Sequence, residues 1–204
     1  MLESDLQLLI NSAFTKIELY CEAIYFGGSR VDPVIDNPHD YDYICFAKRL
    51  SRHRLLSSLH KLGFKTNKSK KNTIKDTDSS IEDFSQVRMY PYTQINWFSY
   101  LDILMIKVIG NDVCPKTDII HQHRKEFFTD LYTKTRRLRA GKIKNQKRWY
   151  HLLRGIYILI NNSYEVTEEQ RKEINILHDL SEGWEQLRDK TILLIEEFKL
   201  QNNY

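Results

Sequence analysis

The chain has 204 residues, 41% hydrophobic and 28% charged, with a formal net charge of +4. That balance excludes a disordered chain, and the length suffices for one large domain or two small ones, each with a real core. No stretch approaches eighteen uncharged apolar residues, so no membrane span is expected. The opening MLESDLQLLI has no basic region ahead of its apolar residues, unlike a signal peptide.

Cys21, Cys45 and Cys114 are widely spaced and form no CxxC pair. They read as buried thiols in a reducing compartment, which points to a cytoplasmic protein. Charge is unevenly spread. Residues 65–75 carry five lysines, residues 134–148 carry eight basic residues and no acid, and the last forty residues are rich in Glu and Asp. Concentrated basic stretches suit a polyanionic partner, although a solvated face is the commoner meaning of any single run.

In chain order, residues 4–20 predict an amphipathic helix with a Ser4/Gln7 capping box. Residues 23–26, AIYF, predict a short buried strand closed by a glycine turn, and Pro33 and Pro38 make the next segment a loop. A second strand is expected over 40–47 and a helix over 52–64. The lysine-rich stretch to about residue 84 reads as a loop or a poorly paired hairpin. Alternating aromatics from 84 onward predict a strand, whereas the continuous apolarity of 100–109 suits a helix and a buried strand equally. From residue 121 every strong segment is helical: 123–139, 147–162, 167–180 with a Thr167/Gln170 capping box, and 184–200. The fold class is α+β, with strands and helices in residues 1–115 and an all-helical part in 116–204.

The stretch YFGGSRVDPVIDNPHDYDYICF carries the chemistry. On a strand Asp40 and Asp42 share a face, ~6–7 Å apart, where two carboxylates repel unless a cation lies between them. Magnesium supplies that compensation and takes carboxylate and phosphate oxygens together. Gly27 and Gly28 let the backbone approach a phosphate closely, and the Ser29 hydroxyl adds a donor. Two acids on an exposed edge strand after an ordinary turn are the plainer account of either feature alone.

Taken together, YFGGSR…HDYDYI resembles the signature of nucleotidyltransferases related to DNA polymerase β: an apolar strand, a glycine–serine turn, a spacer, then Asp-x-Asp in a strand. The later KNQKRWYHLLRGIYILIN resembles the helical part of stand-alone members, where a Lys-x-x-Tyr-x-x-x-Arg helix follows the catalytic domain. Those positions are Lys147, Tyr150 and Arg154 here. The resemblance implies a mixed sheet with helices and two magnesium ions, for which manganese can substitute. It also implies transfer of a nucleoside monophosphate from a triphosphate, ATP among the candidates, with release of pyrophosphate. Asp40 and Asp42 would be catalytic metal ligands, and Gly27, Gly28, Ser29 and Arg30 would hold phosphates. A third metal-binding carboxylate belongs to a later strand. Asp102 fills that role if its segment is the strand, and Asn96 takes the position if the strand lies earlier. The spacer, with its two prolines, departs from the family's helical one.

Arg30 suits a phosphate through its planar fork, or equally a salt bridge to Asp32 or Asp36. Lys147, Tyr150 and Arg154 fall at i, i+3 and i+7, a spacing that sets a cation, a ring and a cation on one helix face toward a nucleotide. His121 and His123 read as scattered surface histidines, and His39 as a polar loop residue. Tyr90, Tyr92 and Trp97 offer stacking surfaces if they are not core. No Ser-His-Asp or Cys-His arrangement and no P-loop is present.

Two function classes follow. One is a magnesium-dependent nucleotidyltransferase whose acceptor is RNA, with tRNA an attractive case, or a protein hydroxyl. The other is a non-catalytic protein that retains the fold and binds nucleic acid or a partner through its basic face.

Overall fold

The computed structural model describes residues 12, 15–38, 42–47, 54, 57–58, 61, 86–91, 104–111, 120–142, 144 and 146–204. Among these the chain is α+β and divides into two compact units. One, within Met1–Val31, His39–Asn96 and Leu104–Pro115, holds a four-stranded sheet. The other includes Asp32–Pro38 and Lys116–Tyr204 and holds four helices.

The strands are β1 (Cys21–Gly27), β2 (Asp42–Ala47), β3 (Gln86–Pro91) and β4 (Ile106–Gly110), in the order β3-β2-β1-β4. The central position of β1 accounts for its composition. A strand flanked on both edges and covered on both faces carries an unbroken apolar run, and Ala23, Ile24 and Tyr25 are all buried. Tyr25 meets Phe46 of β2 edge-on at 5.5 Å, a diagonal cross-strand pair.

The sheet is mixed. β1 runs antiparallel to both β2 and β4, while β2 and β3 are parallel. A parallel pair needs a crossover of a dozen residues or more, and the 48–85 span provides it, with Arg54, Ser57, Ser58 and Lys61 helical. Of the two conformations open to residues 100–109, the strand is found over Ile106–Gly110. Ser12 and Thr15 are helical within the first expected helix; its proposed cap, Ser4 and Gln7, lies outside the described residues.

The helices are α1 (Arg124–Arg139), α2 (Arg148–Asn161), α3 (Glu168–Asp179) and α4 (Trp184–Gln201). Arg124, at the start of α1, donates to the Leu159 carbonyl (2.6 Å) and to Asn162 Oδ1 (3.1 Å) at the end of α2, so the two helices are antiparallel neighbours. Their close approach depends on Gly155, where a Cβ would stand 2.8 Å from a Leu131 methyl. The α3 capping box forms as expected. Thr167 Oγ accepts from the Gln170 amide, and Gln170 accepts from the Thr167 amide. Between α2, α3 and α4 the Tyr157 hydroxyl donates to Glu173, which also accepts from Lys190 Nζ at 2.6 Å. Burial, and then the Glu173 carboxylate, push the Tyr157 hydroxyl well above its ordinary pKa. No described helix is long and apolar enough to cross a membrane.

Candidate functional site at the end of the central strands

β1 ends at Gly27, and the next residue turns the chain sharply. Gly28 has φ +76°, the left-handed region in which a side chain is strained. The Val31 amide then donates to the Gly28 carbonyl at 3.4 Å, and Ser29–Val31 form one turn of 3-10 helix. Gly27 and Gly28 are buried, whereas Ser29 and Arg30 are half-buried. The turn therefore opens on two glycines and a serine, with Arg30 following.

The ladder register brings the two halves of the motif together. Gly27 is paired directly with Asp42, the first residue of β2. Directly opposed residues in an antiparallel pair have Cα atoms roughly 4.5–5.5 Å apart, so the Asp42 backbone lies beside the glycine turn. Phe26 pairs with Ile106 and Asp42 with Gln86, so β3 and β4 both begin at this same end of the sheet. Asp102 precedes Ile106 by four residues in the sequence, a reach of at most ~14 Å. Asp40, Asp102 and Asn96 lie outside the described residues, as do His39, Tyr92 and Trp97. Among the described residues no group of three His, Cys, Asp or Glu side chains could hold a metal ion, and His121 is exposed.

The three residues expected on an open face of α2 are placed differently. Lys147 is exposed at the N-cap position, but Tyr150 is buried and Arg154 is only 1% exposed. Arg154 Nε donates to Asp32 Oδ2 at 3.2 Å, and its Nη2 donates to the Tyr164 carbonyl at 2.6 Å. The Tyr150 and His178 rings meet edge-on at 4.9 Å. The i, i+3, i+7 spacing places side chains on one face but does not say which way that face points. Nearly every residue of α2 from Trp149 to Leu159 is buried, because α1, α3 and α4 pack around it. Two of the three side chains are thus interior groups of the helical unit, and the expectation of a nucleotide-facing cation at Arg154 is corrected to a buried ion pair.

Asp32 and Asp36, weighed as partners of Arg30, bond to other arginines. Asp32 pairs with Arg154, and Asp36 accepts from Arg171 Nε at 3.0 Å. Asn175 completes the anchorage: its Oδ1 accepts from the Asp36 amide at 2.9 Å and its Nδ2 donates to the Val34 carbonyl at 2.8 Å. Asp32 also accepts from the Val34 amide at 3.1 Å, a local turn that sets the carboxylate inward. The spacer between the glycine turn and the Asp-x-Asp strand is therefore fastened by side chains of α2 and α3. A sequence signal for this existed in Val34 and Ile35, apolar residues in a loop, which are both buried.

Comparison with known proteins finds no family model that matches the chain and no curated protein that matches it in sequence.

Proposed function

We propose that the chain is a magnesium-dependent nucleotidyltransferase of the DNA polymerase β-like type, moving a nucleoside monophosphate from a triphosphate to an acceptor hydroxyl on RNA or protein. The observation that carries this reading is the pairing of Gly27 with Asp42, which sets a left-handed glycine turn beside an aspartate position at one end of a mixed sheet. Neither feature alone implies phosphate chemistry. A turn of small residues gives backbone amides access to a triphosphate tail, and a strand-end aspartate next to it offers hard oxygen donors. The donor set suits magnesium, with manganese as a substitute: Asp42 at the strand end and Asp40 two residues before it in the sequence. When bound, the metal supplies charge neutralisation at the phosphates.

The chain's own residues have separate tasks. The Gly28 and Ser29 amides and the Ser29 hydroxyl orient the phosphates that leave as pyrophosphate. Arg30, half-buried in the same turn, adds positive charge there. Asp40 and Asp42 would hold the metal, whose charge would let the α-phosphate lie beside the two carboxylates. Arg154 keeps the spacer anchored through Asp32 and does not touch the nucleotide.

The test is incubation with each of the four α-labelled triphosphates, magnesium, and total cellular RNA and protein, beside the Asp40→Ala/Asp42→Ala variant. Label in RNA or protein that disappears with the two acids supports the transferase and identifies the nucleotide and acceptor class. Absence of label with every triphosphate, in magnesium or manganese, favours the non-catalytic binding protein instead.

A further inference from the structure

The connection between α1 and α2 gathers cations that the fold itself does not require. Arg136, Arg137, Lys142, Lys144 and Arg148 are all exposed, and among the described residues none of them makes an ion pair. Because α1 and α2 are antiparallel neighbours, the C-terminus of α1 and the N-terminus of α2 meet at this one corner. The unit has acids in plenty, and Glu196 reaches the corner, 3.5 Å from Arg139.

A structural account covers two of these charges, Arg136 and Arg137. Arg136, Arg137 and Arg139 sit in the last turn of α1, where cations complement the negative end of the helix dipole. The same rule works against the cations at the start of α2. The first turn of α2 contains no acid, and Lys147 and Arg148 stand at its positive end. Folding alone would favour Asp or Glu there, so the exposed Arg148, the cations that precede it and the helix end together form a positive surface.

We infer that this corner docks double-helical RNA through its phosphates. No aromatic residue lies between 136 and 148, and Trp149 and Tyr150, which follow, are buried, so the stacking platform that single strands need is missing. A short cluster of exposed Lys and Arg suits the phosphates that crowd the narrow major groove of A-form RNA better than the broad groove of B-DNA. The inference selects RNA from the two acceptor classes of the proposed transferase and rests on that reading only for what the bound RNA is used for.

The experiment measures binding alone. The full chain is titrated, in EDTA and without nucleotide, against a fluorescent RNA hairpin with a stem of roughly 16–20 base pairs. A DNA hairpin of the same sequence and phosphatidylserine vesicles serve as comparators. Five phosphate contacts predict a slope of log K against log salt of about −4 to −5. The Arg137→Gln/Lys142→Gln/Lys144→Gln variant should reduce that slope by about 3 and weaken binding by about 100-fold at 0.1 M salt. Lys172→Gln, an exposed cation on α3, should change neither. RNA binding that survives the triple substitution overturns the inference, as does binding of the DNA hairpin or the vesicles at least as tight as that of RNA. Because no triphosphate is present, loss of transfer activity with RNA binding intact would count against the transferase reading and leave the docking surface standing.

Discussion

Asp32 and Asp42 lie ten residues apart in the sequence and belong to different units, and their surroundings differ accordingly. Asp32, in the helical unit, is 2% exposed and meets Arg154, a cation the protein carries itself. Asp42, in the sheet unit, begins β2 opposite a glycine and next to a turn that starts with a glycine and a serine. A carboxylate that leaves water, as Asp32 does, needs compensation. Where the chain supplies the cation the acid is structural, and on the proposed reading the acid beside the glycine turn is kept for a metal and its phosphates. The two units therefore predict opposite responses to the same kind of substitution.

The largest separation should come from Asp42→Asn. Label transfer should fall by at least about 10³-fold while thermal unfolding changes little, and a variant that unfolds instead would erase the contrast. Arg154→Ala should do the reverse. Removing one partner of a buried pair costs about 3–5 kcal/mol, measured by urea unfolding, and adding Asp32→Asn should recover part of that loss. Gly28→Ala tests the turn: a side chain at φ +76° costs about 1–2 kcal/mol and should weaken triphosphate binding in parallel. Thr167→Ala removes the cap of α3 and should cost about 1 kcal/mol without touching transfer.

The smallest effect is a pH dependence. The folded state holds the Tyr157 proton more tightly than the unfolded chain, so the contribution of this group is complete below the ordinary tyrosine value of about 10 and is lost as pH rises beyond it. Tyr157→Phe should remove that part of the alkaline fall in stability. An unchanged alkaline profile would assign it to other groups.

Much of the local structure was legible before any coordinates. The four C-terminal helices follow from 3.6-residue periodicity, and the Thr167/Gln170 box marks the start of α3 as expected. β1 announces itself by an apolar run closed with Gly27 and Gly28, and the left-handed Gly28 is what such a turn demands. These features depend on neighbours in the sequence. Spacing also placed Lys147, Tyr150 and Arg154 on one face of α2, but it said nothing about what that face meets.

What the sequence by itself determined, then, is which segments form elements, where they are capped, and which acids and glycines stand out against their apolar surroundings. Three things were decided only by the tertiary structure. The parallel pairing of β2 with β3 and the antiparallel placement of β4 beside β1 are long-range hydrogen-bond choices that no local pattern encodes. The Gly27–Asp42 register, which joins the turn to the Asp-x-Asp strand, exists only once the two strands pair. Arg154 became an interior residue because helices on several sides enclosed α2, and a buried guanidinium then had to find its carboxylate 122 positions away, at Asp32.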